Sequence, residues 1–197
     1  MLTDDRTAPI EIVVIGASTG AVEALHVLLP MLATDLRIPV VVVVHLPAHH
    51  RSLLPEIFAP LCPVPVREPL DKEPVGGGVI WFAPPDYHLM IEAGRSFAFS
   101  VDAPVKYSRP AVDVLFESAA LAYGPGVTGV VLTGASDDGA DGAATIRAHG
   151  GCVYVQDPEQ AEASLMPMAA IRMAAPQYIG PLSGIAEQLR ASTGWCT

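Results

Sequence analysis

Apolar positions along this chain fall into short unbroken blocks, separated by longer segments in which they recur every three or four residues. Ile12-Val13-Val14-Ile15 and the five valines Val40 to Val44 are blocks of strand length with no polar alternation, the mark of strands covered on both faces. Val127 to Leu132 and Cys152 to Val155 repeat the pattern, with Thr128 and Gly129 as interruptions of the first. Between the blocks, the spacing of Val22, Leu25, Leu28 and Leu29 predicts a helix over 21–29. Val112, Leu115, Phe116, Ala119 and Ala120 predict another over 111–123, with Ser108 as its N-cap and Pro110 near its first turn. Further helices are expected over 53–61, 140–149, 164–174 and 185–191, the second of these closed by Gly150-Gly151. Val64 to Val66, hemmed by Pro63 and Pro65, reads as a marginal edge strand. Val79 to Phe82, Leu89 to Glu92 and Phe97 to Val101 alternate with turn residues between them and read as an antiparallel ribbon attached to the main sheet.

Strands alternating with helices predict an α/β fold: a doubly wound, mostly parallel sheet in a Rossmann-like three-layer α/β/α arrangement. The 197 residues suffice for one core. Residues 11–192 are expected to form that single domain, with 1–10 as an extended or disordered tail and no receiver domain ahead of it. Charge then narrows the function. Eleven basic against 21 acidic residues leave −10, which speaks against nucleic acid as a partner. No apolar run approaches the roughly 20 residues of a membrane span, and the polar N-terminus does not resemble a signal peptide. Three widely spaced cysteines, Cys62, Cys152 and Cys196, fit reduced thiols and a cytoplasmic location, the first two as core residues.

In such sheets ligands bind beyond the carboxyl ends of the strands. The first strand ends in Gly16-Ala17-Ser18-Thr19-Gly20, a G-x-S-x-G turn between strand and helix that presents a serine hydroxyl. The second ends at His45 and the third in Thr133-Gly134-Ala135-Ser136-Asp137-Asp138-Gly139. Serine needs a base to act as a nucleophile, histidine can take the proton near neutral pH, and a carboxylate, Asp137 or Asp138, can fix the imidazole tautomer. The Thr19 N–H is a ready oxyanion donor. Each residue also has a plainer reading: Ser18 as the helix N-cap, His45 as a strand-end residue, Asp137 or Asp138 as an N-cap. His149 lies at the far end of its helix, some 10–15 Å from such a site at 1.5 Å per residue. A metal site at His45, His49 and His50 is disfavoured by Pro47, and Asp137, Asp138 and Asp141 read better as capping acids than as cation ligands. The turn lacks a P-loop lysine and a third spaced glycine, so no nucleotide, other cofactor or metal is expected.

Taken together, these residues resemble the catalytic domain of the bacterial chemotaxis protein-glutamate methylesterase family. The resemblance rests on Ile15-Gly16-Ala17-Ser18-Thr19-Gly20, Val44-His45-Leu46-Pro47, Phe82-Ala83-Pro84-Pro85-Asp86-Tyr87-His88-Leu89, Ser108-Arg109-Pro110-Ala111-Val112-Asp113-Val114-Leu115-Phe116, Leu132-Thr133-Gly134, Asp138-Gly139-Ala140, Gln156-Asp157 and Met166-Pro167. They are collinear over about residues 11 to 190. The resemblance implies hydrolysis of γ-glutamyl methyl esters on methylated chemoreceptor proteins, with deamidation of receptor glutamines as a second activity. It implies Ser18 as nucleophile, His45 as base, Asp138 as orienting acid, and an oxyanion hole from the backbone N–H groups of Thr19 and Ala135. Where the family loop reads Gly-Met-Gly-x-Asp-Gly, this chain carries Ala135 and Ser136. The rival reading is a non-catalytic receptor- or nucleotide-binding module on the same scaffold. Relatives with a receiver are controlled through it, so control here is expected from a separate regulatory chain or from recruitment, with docking through local cations such as Arg51, Lys106 and Arg109.

Overall fold

The computed structural model describes residues 8–34, 36–45 and 52–192. Arg51, His49, His50, Leu46, Pro47 and Cys196 lie outside them. In chain order the elements are β1 (Ile12–Ala17), α1 (Ala21–Ala33), β2 (Val40–Val44), α2 (Leu54–Phe58), β3 (Val66–Arg67), β4 (Ile80–Phe82), β5 (His88–Ile91), β6 (Phe97–Ser100), α3 (Val112–Tyr123), β7 (Val127–Val131), α4 (Ala140–Ala148), β8 (Cys152–Gln156), α5 (Leu165–Ala174), β9 (Tyr178–Gly180) and α6 (Leu182–Ala191). The helix expected over 53–61 is α2 followed by one 3-10 turn.

Seven strands form one sheet in the order β3-β4-β2-β1-β7-β8-β9, with every pairing parallel. β1 is central because its six residues are all buried and it can be covered on both faces. Alternation along it splits the core in two. Val13 and Ile15, with Val40, Val42 and Val44, pack against Leu25, Leu28 and Leu29 of α1 and Ile185 and Leu189 of α6. Ile12 and Val14, with Val41 and Val43, pack against Val112, Leu115 and Phe116 of α3, Ile146 of α4 and Met166 of α5. This is the expected three-layer arrangement. Among the described residues no helix is long and apolar enough to cross a membrane.

Three expectations need correction. β4 is not part of the ribbon: it lies between β3 and β2 in the parallel sheet, and all three of its residues are buried. The ribbon is β5 and β6 alone, a separate antiparallel pair, His88 opposite Ser100, whose Leu89 and Phe97 join the α3-side core. Ser108 does not cap α3: the N-cap is Ala111, with no side-chain cap bond of its own. β9, which the sequence pattern does not reveal, is a three-residue edge strand beside β8.

The chain works outward from β1 through β2, then returns to lay β7 on the other side of β1. Connections that diverge from a central strand leave a crevice at the strands' carboxyl ends. The ends of β1, β2 and β7 are where Ser18, His45 and the 133–139 loop emerge.

Candidate active site

Ser18 follows the last residue of β1, and its backbone is fully engaged. Its N–H donates to the Thr133 carbonyl at 2.9 Å and its carbonyl accepts from Ala21 N–H at 2.9 Å. Gly20, at φ 77°, is the N-cap of α1, and among the described residues no side chain caps that helix. A left-handed residue there suits glycine. The plain reading of Ser18 as a side-chain cap is thereby excluded, and its hydroxyl stands at the edge of a pocket. His45 follows β2 directly, with Ala17 paired to Val44 and His45 N–H donating to the Ala17 carbonyl at 3.2 Å. Neighbouring strands therefore deliver the hydroxyl and the imidazole side by side. Both line a pocket of about 850 Å³, with Thr19, Ala135, Ser136 and Asp137.

Asp138 lies behind His45 rather than in the pocket, and is 1% exposed. Its Oδ2 accepts from His45 Nε2 at 2.7 Å and from Val112 N–H at 2.6 Å, and its Oδ1 accepts from Asp113 N–H at 2.9 Å. The acid thus caps the first turn of α3 while holding the imidazole. Asp113 returns the arrangement: its Oδ1 accepts from Gly139 N–H at 2.9 Å and Gly142 N–H at 2.8 Å, at the start of α4. The N-cap of α4 is Gly139 and carries no side-chain bond. The start of α3 is capped by an aspartate from the loop ahead of α4, and the start of α4 by an aspartate of α3, so the expectation that Asp137 or Asp138 caps its own helix is corrected.

The two carboxylates divide the ionisation. Burial acts to raise Asp138, but the His45 bond and the backbone donors outweigh it and hold the carboxyl below the ordinary aspartate range. Asp113 is pushed up to about 6, chiefly by burial and further by the Asp138 charge, against the pull of Gly142 N–H and Lys106. Lys106 Nζ lies 3.0 Å from Asp113 Oδ2 and 2.8 Å from Asp141 Oδ2, and donates to the Asp137 carbonyl at 3.1 Å. Partial burial acts to lower its pKa, but these acids hold the ammonium well above the usual lysine value. The cation among Asp113, Asp137 and Asp141 is thus a side chain of the protein itself.

The loop before Asp138 is fixed from several sides. Thr133 Oγ1 donates to the Thr19 carbonyl at 2.8 Å and accepts from Ala163 N–H at 2.9 Å, and Gln156 Oε1 accepts from Thr133 N–H at 2.9 Å. Ser136 Oγ accepts from Asp138 N–H at 3.1 Å, so the residue in place of a glycine steadies the turn. Gly134 is needed for closeness: a Cβ there would run into the Met166 side chain and come within 3.0 Å of Ser18 Cβ. Among the described residues, neither Thr19 N–H nor Ala135 N–H donates to a protein acceptor. Both residues line the pocket beside Ser18.

Other sequence candidates go elsewhere. His88 is buried in the ribbon, its Nε2 facing the Ala103 carbonyl and its Nδ1 accepting from Ala111 N–H. His149 ends α4 with its Nδ1 on the Thr145 carbonyl. The Arg109 Nη1 donates to the carbonyls of Val101 and Asp102, which ties it to the loop. Cys152 is buried and Cys62 packs at the edge of the core. Asp113 gives no sign in the sequence of being a capping acid, because its cap bonds span 26 and 29 residues. Arg172, which also lines the pocket, carries no local signal either.

The family model for CheB methylesterase matches residues 13–189. A putative protein-glutamate methylesterase/protein-glutamine glutaminase of Leptospira interrogans is 42% identical over 177 residues, covering 90% of this chain and 92% of the relative. A protein-glutamate methylesterase/protein-glutamine glutaminase of Trichodesmium erythraeum is 38% identical over 186 residues, and the match spans 53% of that relative's length. The crystal structure of the Thermotoga maritima CheB methylesterase catalytic domain superposes with a TM-score of 0.84 at 32% identity, covering 92% of this chain and 98% of that one.

Proposed function

The chain belongs to the CheB methylesterase family, and on that premise we propose that it hydrolyses γ-methyl esters of protein glutamates on chemoreceptors through Ser18, His45 and Asp138. Receptor glutamine side chains are its second substrate, with ammonia leaving in place of methanol. The observation that carries the reading is the buried carboxylate of Asp138, 2.7 Å from His45 Nε2. It leaves Nδ1 as the basic nitrogen of an imidazole that shares a pocket with the Ser18 hydroxyl.

In this mechanism Ser18 Oγ attacks the ester carbonyl carbon and its proton passes to His45 Nδ1. The carbonyl π electrons move onto oxygen, and the N–H groups of Thr19 and Ala135 stabilise that oxyanion. The tetrahedral adduct collapses, the C–O bond to the methoxy group breaks, and His45 returns the proton to form methanol. Water then attacks the acyl-serine with His45 again as base, releasing the glutamate carboxyl and Ser18. Asp138 stabilises the imidazolium at both stages without itself being protonated. Its depressed pKa supports that role. The test is methanol release from methyl-esterified receptor by the purified chain, beside Ser18→Ala. Release by the wild type that is lost in the variant supports the mechanism. Release by neither would make the chain a binding module.

A further inference from the structure

The pocket mouth contains a turn with an unusual pair of residues. Val105 and Ser108 exchange both backbone hydrogen bonds, at 3.1 and 2.9 Å, around a two-residue tip. The tip residues are Lys106 at φ 47° and Tyr107 at φ 66°. Two successive left-handed positions belong to hairpin tips usually filled by Asn-Gly or Gly-Gly. Among the described residues this is the only consecutive pair of non-glycine residues at positive φ. Strained backbone of this kind collects at functional sites.

Lys106 accounts for its half of the strain, because from there its ammonium reaches Asp113 and Asp141. Tyr107 does not. Its side chain is fully exposed, at 103%, and makes no hydrogen bond or ring contact among the described residues, yet it lines the pocket that holds Ser18. The base of the loop is held by Arg109 on the Val101 and Asp102 carbonyls. A rigid aromatic is thus held out into solvent at the mouth of the site.

The same pocket is also lined by the outer face of α5. Leu165 and Arg172, two turns apart, both line the pocket, and Met168 stands between them on the same face. Leu165 is 46% exposed and Met168 45%. Arg172 is exposed and forms no ion pair among the described residues, whereas Lys106, the pocket's other cation, is held by carboxylates. In a chain of net charge −10, an arginine without a carboxylate beside the reactive serine is a place for a carboxylate from outside.

We propose that the Val105–Ser108 tip and the outer face of α5 are the two lips of a docking cleft for the substrate chain, gripping an apolar side chain between Tyr107 and Leu165 and pairing Arg172 with a carboxylate next to the esterified glutamate. This rests on the esterase reading above. The two turns from Leu165 to Arg172 span about 10 Å at 1.5 Å per residue. A substrate segment bound in extended form covers that distance in about three residues, so with the apolar side chain beside the ester the recognised carboxylate lies within a few residues of it.

The experiment uses two probes. One is the small ester N-acetyl-glutamate γ-methyl ester methylamide. The other is a peptide series carrying one γ-methyl glutamate, a leucine beside it, and a single glutamate moved from one to four residues away on either side, with alanine replacing that glutamate in the controls. Tyr107→Gly relieves the left-handed strain, so its melting temperature should not fall. Its kcat/KM on the peptides, taken relative to the small ester, should drop about tenfold, the loss typical of an interface anchor. Arg172→Ala should abolish the preference for the glutamate peptide over its alanine control. Parallel losses on both probes, or variants whose peptide-to-small-ester ratio and glutamate preference match the wild type, would overturn the cleft. A wild type that hydrolyses neither probe overturns the esterase reading, and the cleft with it.

Discussion

Replacing Asp138 by asparagine should damage stability as well as rate, and the size of both losses can be worked from its contacts. The carboxylate accepts two backbone N–H bonds from α3 and one from His45. An asparagine has one acceptor oxygen. With that oxygen toward Val112 and His45, the amide NH2 meets the Asp113 N–H; flipped, it meets the Val112 N–H and the imidazole. Either way one buried N–H of α3 loses its acceptor, which costs about 1–3 kcal/mol. The charge at the helix N-terminus, worth about 0.3–1 kcal/mol, goes too. Relief of repulsion with Asp113 gives part of this back. A net loss of about 2–3 kcal/mol at neutral pH follows, which at a urea m-value of about 2–3 kcal/mol/M moves the midpoint down by about 1 M. Turnover should fall on the order of ten-thousandfold, because an amide that donates to Nε2 stabilises the wrong tautomer. The sign with pH is fixed as well. The folded pKa of Asp138 lies below its unfolded value, so its contribution is present above about 3.9 and fades as pH falls through the lower folded value. The gap between variant and wild type should therefore narrow in acid. Urea unfolding of wild type, Asp138→Asn and His45→Ala, at pH 7.5 and in acid, is the assay. His45→Ala keeps both cap bonds and should lose activity with a much smaller midpoint shift. Equal midpoints for Asp138→Asn and wild type, or equal losses for the two variants, would refute the capping argument.

Ser18→Ala should lower turnover by up to about a millionfold with its melting temperature unchanged, since the Ser18 contacts that hold the turn are backbone ones; a rate drop of tenfold or less in the methanol assay would remove it as nucleophile. Ala135→Pro deletes an N–H that has no protein acceptor among the described residues and should cost about 10²–10³ in kcat while the chain still folds by circular dichroism; full activity in a folded variant takes residue 135 out of the mechanism. Lys106→Met takes the counter-charge from Asp113, whose pKa, already pushed up to about 6, rises further. A raised carboxyl pKa means stability that is full below the unfolded value and lost as pH rises through the folded one. The variant should therefore be about 1–2 kcal/mol worse than wild type at pH 8 and much closer to it at pH 5, since a tenfold change in proton affinity is worth about 1.4 kcal/mol; equal deficits in urea melts at both pH values would contradict it.

Much of the framework is legible in the sequence because burial on both faces forces unbroken apolar blocks. Val40 to Val44 is a strand with the bounds its valines suggest. The serine turn is legible for the same reason: Gly16 to Gly20 joins a buried strand to a helix. What escapes is non-local. Ile80 to Phe82 reads like its ribbon neighbours, and only the cover provided by β3 and β2 makes it a parallel strand. Tyr178 to Gly180 is too short, between Pro176 and Pro181, to show a period. The caps of α3 and α4 are misassigned from sequence because capping rules look a few residues along the chain, whereas the acids that do the capping come from 25 to 29 residues away. Arg109 and Lys106 look like free surface cations in the sequence, and only the folded chain reveals the carbonyls and carboxylates that hold them.

The exchange of caps between α3 and α4 bears on how this family can be read across genomes. An aspartate that fastens two helices together is retained by selection for folding even where selection for turnover has lapsed. A descendant that had given up hydrolysis to become a pure adaptor would shed Ser18 freely, since that hydroxyl makes no hydrogen bond among the described residues, but would keep Asp138 and Asp113 to stay folded. On the mechanism proposed above, presence of the acid in a relative would therefore be poor testimony to catalysis, and the position of Ser18 would be the more informative one.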